Sequence, residues 1–350
     1  MRVLVTGHCG YIGTVMVPML LADGHDVVGY DSDLFEDSTF GEGIVKVPTI
    51  RKDIRDATVN DVKGFDAIIH LAGLSNDPLG DLNPQLTYEI NHLASVRLAA
   101  LAKEAGVPRF IFSSSCSNYG AGGDNLLNEE SPFNPVTPYG ISKVKVEQDV
   151  SKLASRSFSP TFLRNATAFG VSPRLRFDLV LNNLVAWAFT TGKVFIKSDG
   201  TPWRPIVHIA DISRAFIAVL NAPREVVHNA AFNVARNQDN YRIRELADIV
   251  KETVPDCTIE YAKDAGPDKR CYRVDSSKIL RTLPSFKPEW NARKGAQELF
   301  AAYKRIGLKL EDFEGPKFKR IDHIKQLLGS GRLNPDLRWA EVTVEAMPSK

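Results

Sequence analysis

Tyr139 and Lys143 stand four residues apart in Tyr139-Gly140-Ile141-Ser142-Lys143, a spacing that puts a phenol and an ammonium on one face of a helix. Pro138 can open that helix, and Val144, Val146 and Val150 carry it onward. The phenol is then a candidate base. Its ordinary pKa is about 10, so accepting a proton near neutrality requires a fall of about three units, or about 4 kcal/mol. One cation about 5 Å away, at an effective dielectric of about 20, supplies about 3 kcal/mol. A second positive charge is required. Tyr and Lys at this spacing also occur by chance on solvated helices, so the pair acquires meaning only from the rest of the chain.

The N-terminus offers that charge. Arg2-Val3-Leu4-Val5-Thr6 reads as a short apolar strand, Gly7-His8-Cys9-Gly10-Tyr11-Ile12-Gly13 as a glycine turn, and Val15 through Leu20 as a helix. Strand, turn and helix in that order aim backbone N–H groups and the positive helix end at a pyrophosphate. A glycine triplet also suits an ordinary tight turn; its place after a buried first strand selects the dinucleotide reading. A second strand over 26–30 ends at Asp31, where a carboxylate accepts from both ribose hydroxyls. Ser32 to Asp37 adds the acids Asp33, Glu36 and Asp37 and no Lys or Arg, which disfavours a 2′-phosphate. The expected cofactor is NAD rather than NADP, and its oxidised ring is cationic.

With these segments in place the chain resembles the extended short-chain dehydrogenases/reductases, the group that holds the NAD-dependent nucleotide-sugar epimerases and dehydratases, from Met1 to about Tyr303. Lys52-Asp53-Ile54-Arg55 resembles the loop that clamps adenine there, and Ile69-His70-Leu71-Ala72-Gly73 the fourth strand and its turn. Asn91 matches the position that supports the helix behind the active site, and Phe112-Ser113-Ser114-Ser115 the strand that delivers a catalytic hydroxyl. The resemblance implies Ser115, Tyr139 and Lys143 as catalytic residues. It implies a cofactor site of Gly7, Gly10, Tyr11, Ile12, Gly13, Asp31, Asp53, Ile54, Leu71, Ala72, Gly73, Asn91 and Ser113, together with Tyr139 and Lys143.

Beyond residue 165 the resemblance points to a nucleotide diphosphate sugar. Related epimerases read Arg-x-x-Asn-x-Tyr-Gly where this chain has Arg164-Asn165-Ala166-Thr167-Ala168-Phe169-Gly170, so Thr167 replaces an amide by a hydroxyl. Asn183 and Leu184 match a segment that touches the diphosphate, and Arg204 and Arg270 match two arginines that clamp it. Asp211 is expected to start a structural helix, and His208 to be a satisfied core histidine. Asn182-Asn183 is also an ordinary helix start.

The implied mechanism has Tyr139 remove a sugar hydroxyl proton with Ser115 sharing the hydrogen bond. A keto sugar forms and is reduced on its other face, which is epimerisation, at C4 as the leading reading. A 4,6-dehydratase ranks low, because those enzymes carry Asp-Glu directly after the catalytic hydroxyl residue and this chain has Cys116 and Ser117. Cys116 stays open between a substrate-facing acid or base for C3 or C5 epimerisation and a merely small residue. A ketoreductase, a steroid-type dehydrogenase and a catalytically silent dinucleotide sensor are the remaining alternatives.

The elements that must position these groups alternate as short apolar strands and amphipathic helices up to about residue 165, which implies an α/β fold: a Rossmann-like doubly wound parallel sheet with a smaller α/β C-terminal substrate domain. Core strands are expected at 2–6, 26–30, 66–70, 109–114 and 160–164, with a weaker one near 44–47. Leu82 to Glu104 reads as one helix, and the resemblance implies that it pairs across a homodimer. The expected units are 1–170 for the dinucleotide, 171–305 mainly for substrate, and an extension, 306–350, of unassigned role with a helix from Ile321 to Leu328. With 44 basic and 42 acidic residues and no long like-charge block, neither nucleic acid nor a membrane is an expected partner. The four cysteines have no C-x-x-C spacing, so no structural metal is expected. A core strand from residue 2 and the lack of a spanning apolar run make the cytoplasm the default location.

Overall fold

The computed structural model describes residues 1–41, 43–263, 266 and 271–340. Seven strands form the central sheet: β1 (Arg2–Thr6), β2 (Asp26–Asp31), β3 (Thr49–Arg51), β4 (Ala67–His70), β5 (Arg109–Ser115), β6 (Ser159–Asn165) and β7 (Ala230–Val234). Their order is β7-β6-β5-β4-β1-β2-β3 and every pairing is parallel. The chain leaves β1 toward β2 on one side and returns to β4 on the other. That reversal opens a crevice at the carboxyl ends of β1 and β4, where doubly wound sheets bind ligands.

Strand alternation divides the core. Val3 and Val5 pack on one face with Met16, Leu20, Ile212 and Phe216, whereas Leu4 packs on the other with Tyr30, Ile68, Leu98 and Phe110. A third apolar cluster, including Phe169, Phe177, Leu181, Leu246 and Tyr303, forms the interior of the C-terminal part. That part also holds a mixed three-stranded sheet of Thr167–Phe169, Trp203–His208 and Asn240–Arg242. Among the described residues no helix is long and apolar enough to cross a membrane.

Three expectations about elements need correction. No strand forms at 44–47; pairing starts one residue after Pro48, which has no N–H to give but whose carbonyl accepts from Gly29 N at 2.8 Å. The run from Leu82 to Glu104 is not one helix. Asn83 caps a new turn by accepting from Leu86 N at 3.1 Å, Pro84 starts it, and a wide π turn at Tyr88–Leu93 intervenes before Ala94–Glu104. The sheet also takes β7 from residues 230–234, which no sequence signal had singled out.

Candidate active site

The glycine turn after β1 leads into helix α1 (Gly13–Ala22). Gly7 has φ 73°, and an added Cβ there would stand 2.7 Å from Ala72 N, so only glycine fits beside the turn after β4. At Gly13 an added Cβ would meet Gly7 O and His8 Cα at 2.5 Å. The turn and the start of α1 line a cleft of about 1000 Å³ together with Asp31, Lys52, Asp53, Ile54, Leu71, Ala72 and Gly73. A tight backbone cradle at the open amide end of a helix, with a carboxylate at the end of β2, fits a dinucleotide.

Asp31 accepts from Cys9 N at 2.9 Å and from Asp33 N at 2.8 Å. The acids after it differ from expectation: Asp33 pairs with Arg174, Glu36 with Arg51 and Arg332, and Asp37 with Arg332. Among the described residues Asp31 has no Lys or Arg partner, so discrimination against a 2′-phosphate rests on this carboxylate rather than on the whole acidic run. Asp53 is held by Arg55, at 2.7 Å to Nη2. Asn91, in the π turn, lines neither cleft; its side chain bonds Leu74 N at 2.7 Å and Leu74 O at 3.0 Å and bends toward Ser142, fixing the strand-to-helix turn that does line them.

The second cavity, about 2180 Å³ counting space open to solvent, continues from the first past Tyr11, Ile12 and Gly73. Helix α2 (Pro138–Ser151) places Tyr139 and Lys143 on its wall, and β5 places Ser113 and Ser115 there. Thr137 caps α2 by accepting from Gly140 N at 3.2 Å while donating to Asp77 Oδ1 at 2.6 Å. Ser115 Oγ accepts from Ser117 N at 3.1 Å, and its hydroxyl faces the Tyr139 phenol, favouring the ionised form. Lys143 Nζ donates to Ser113 O at 2.8 Å and stands 4.6 Å over the Phe112 ring and 5.7 Å from the Tyr139 ring centre.

Burial dominates the electrostatics of the pair. It pushes the Tyr139 phenol up to about 12, with the Ser115 hydroxyl pulling the other way, Asp77 raising it further and the Arg176 guanidinium lowering it. It pulls the Lys143 ammonium down to about 7, against the Glu147 carboxylate, which favours the charged form. Lys143 is not among the groups that most perturb the phenol, contrary to the expectation that this cation supplies most of the fall, so the free protein does not make the phenol acidic.

Thr167, Asn183, Leu184 and Arg204 all line the second cavity. Asn183 Nδ2 donates to Phe177 O at 2.8 Å, and Arg204 lies 5.8 Å over the Tyr272 ring. Cys116 does not reach the cavity. It is fully buried, its thiol donates to Arg164 O at 3.1 Å, and burial pushes it well above the ordinary thiol range, which removes the acid or base role considered for it. Arg270 lies outside the described residues. His208 is a satisfied core residue, stacked on Trp290 at 3.9 Å and bonded to Glu298 at 2.9 Å. Asp211 bonds Glu289 N and Trp290 N at 3.0 Å, tying the start of its helix to a distant loop.

Four lining residues had no signal in the sequence. Arg176 lines both cavities and is held by Asp178 at 2.7 Å; burial opposes its charge, and Asp178 more than restores it. Asp77 and Tyr272 line the second cavity on either side of Tyr139, whose phenol feels both. Arg320, from the C-terminal extension, lines the first.

Comparison with known proteins agrees with this geometry. The model of the NAD dependent epimerase/dehydratase family matches residues 3–235. A putative UDP-glucose 4-epimerase of Methanocaldococcus jannaschii is 26% identical over 306 residues, 85% of this chain and 96% of that protein. UDP-glucuronic acid decarboxylase 1 of Arabidopsis thaliana is 25% identical over 340 residues, 90% of this chain and 72% of that protein. The structure of MoeE5 in complex with UDP-glucuronic acid and NAD is similar at TM-score 0.76 and 25% identity, over 87% of this chain and 99% of that one. With a glycine cradle, a ribose carboxylate and a Ser-Tyr-Lys wall on one parallel sheet, the chain belongs to the NAD dependent epimerase/dehydratase family, and NAD is its cofactor.

Proposed function

We propose that the protein interconverts epimers of a nucleotide diphosphate sugar, inverting C4 through a transient keto sugar. The observation that carries this reading is the placement of Ser115, Tyr139 and Lys143 together on the wall of a cavity that continues from the dinucleotide cleft and contains Arg204, Thr167 and Asn183. NAD⁺, held by the glycine turn and Asp31, would supply reversible hydride acceptance at the sugar carbon and a positive charge beside the phenol. Tyr139 accepts the sugar hydroxyl proton and later gives it back, while Ser115 bonds to the same oxygen. Lys143, pulled down to about 7 by burial and so only partly charged near neutrality, gains its proton more readily as the phenol loses its own. Arg204 and Asn183 hold the diphosphate, so the sugar turns about a fixed anchor and presents its other face.

Asp77 favours a second reading. Its carboxylate lines the same cavity as Tyr139 and supplies the acid or base that Cys116 and Ser117 do not. Removal of a proton from C3 or C5, acidic once C4 is a ketone, would lead to epimerisation there or to elimination. One experiment separates the readings: a panel of UDP, GDP, CDP and dTDP sugars is incubated in D₂O and followed by NMR. C4 inversion by hydride return leaves ring carbons free of deuterium, whereas deuterium at C3 or C5 supports the role of Asp77. No turnover with any sugar, and no rise in melting temperature with any nucleoside diphosphate, would overturn both.

A further inference from the structure

Three buried arginines lie close enough to repel one another beside the first cavity, which Arg176 and Arg320 line, and two of them are neutralised. Arg174 pairs with Asp33 at 3.3 Å and Arg176 with Asp178 at 2.7 Å. Arg320, the first residue of helix α3 (Arg320–Gly329), is only 3% exposed, yet among the described residues its guanidinium faces no carboxylate at ion-pair distance. Its contacts are a donation to Arg174 O at 3.3 Å and a stack over Phe35 at 3.7 Å. A guanidinium has five N–H donors, so most of this fork is unused. Burial, with Arg176 and Arg174 adding repulsion, pulls its pKa down to about 9 against the attraction of Asp178 and Asp31. A buried cation with spare donors on the wall of an anion-binding cleft is a site awaiting its anion.

The segment that carries Arg320 is bound to the cofactor side of the fold. Ile324, Leu327, Leu333 and Leu337 are buried in the same core cluster as Leu4, Tyr30 and Ile54, and Leu337 lines the cleft itself. Trp339 Nε1 donates to Ser32 O at 2.7 Å, His323 Nε2 bonds Leu34 O at 3.1 Å, Arg332 pairs with Asp37 at 2.7 Å, and Arg338 bonds Asp56 at 3.0 Å. These contacts hold the 32–37 loop, which lines the cleft, and the turn at 54–56 beside it.

We propose that the C-terminal segment is a working part of the dinucleotide site: it clasps the adenosine side of the cleft, and Arg320 binds the cofactor pyrophosphate opposite the amide end of α1. The proposal rests on NAD as cofactor and not on the sugar reaction.

The test is a calorimetric titration of the full-length chain, freed of nucleotide, with NAD⁺, ADP and adenosine, on wild type, Arg320→Gln and Arg320→Lys. No sugar nucleotide is present, so failure here is separate from failure of the proposed reaction. A charge-assisted contact to pyrophosphate predicts that Arg320→Gln weakens NAD⁺ and ADP by about 10- to 100-fold and adenosine by less than about 2-fold. Arg320→Lys, which keeps the cation and loses the fork, should fall between. If Arg320→Gln does not fold, Arg320→Lys alone decides, because a loss for ADP that spares adenosine is still required. Unchanged ADP affinity would overturn the proposal, and so would a parallel loss for adenosine, which marks a purely structural residue.

Discussion

Glu147 stands one helical turn beyond Lys143 on α2, and Arg164 grips its carboxylate from β6 through Nε at 3.1 Å and Nη2 at 2.7 Å. Ser114 and Asn118 complete the carboxylate's partners at 2.5 and 2.9 Å. The pair is buried on both sides and fixes the register of the catalytic helix against the strand next to β5. Arg164→Met leaves Glu147 charged and unpaired, so it is expected to lower unfolding stability by about 3–5 kcal/mol in a denaturant titration. Pairing it with Glu147→Leu should restore much of that loss, since an apolar replacement of both partners removes the uncompensated charge.

Removing one oxygen tests the chemistry. Tyr139→Phe keeps the backbone and Cβ that pack against Gly80 and is expected to leave NAD⁺ affinity within about 3-fold, while turnover drops by about 10³-fold or more, in the range for a lost general base. Ser115→Ala removes the hydroxyl that favours the ionised phenol and should cost about 10- to 100-fold in kcat with little change in KM. Equal turnover in wild type and Tyr139→Phe would end the assignment.

The buried ammonium sets a pH signature. In the folded, cofactor-free protein Lys143 titrates at about 7, below its ordinary value of 10.5, because burial disfavours the charge. Between those two values the unfolded chain binds the extra proton, so stability rises with pH across that window and the destabilisation is greatest at and below pH 7. Lys143→Met lacks the group. The melting temperature of the variant relative to wild type is therefore expected to fall steadily from pH 7 toward 10.5, and a pH-independent difference would contradict the buried, perturbed lysine.

Cofactor choice should depend on one carboxylate. Because Asp33, Glu36 and Asp37 are occupied by arginines, Asp31→Ala is expected to weaken NAD⁺ by about 10-fold and to reduce its advantage over NADP⁺ at least as much, read from paired binding titrations. Asp37→Asn should leave the preference for NAD⁺ over NADP⁺ unchanged, since that side chain already answers Arg332.

The parts of the site that were legible in the chain are those set by local spacing. A glycine turn between a strand and a helix, and a tyrosine and lysine one turn apart, report their geometry within a dozen residues, and both stand where that spacing places them. Cys116 stayed open between an acid or base and a merely small residue for a local reason: β5 ends at Ser115 and a 3-10 turn follows over Cys116–Tyr119, so no simple alternation says that Ser115 and Ser117 line the cavity while Cys116 turns into the core. Arg176, Asp77 and Arg320 left no local trace, because each arrives at the site through long-range packing and its neighbours in sequence carry no motif. The acidic run after Asp31 was visible as charge, but its neutralisation depends on arginines as distant as Arg332.

The cleft for NAD has walls at Gly7 and at Leu337, almost the full described length of the chain apart. The two walls come together only through tertiary packing, so the cleft is finished only in a chain that has folded through Leu337, and the glycine turn by itself forms one side of an open crevice.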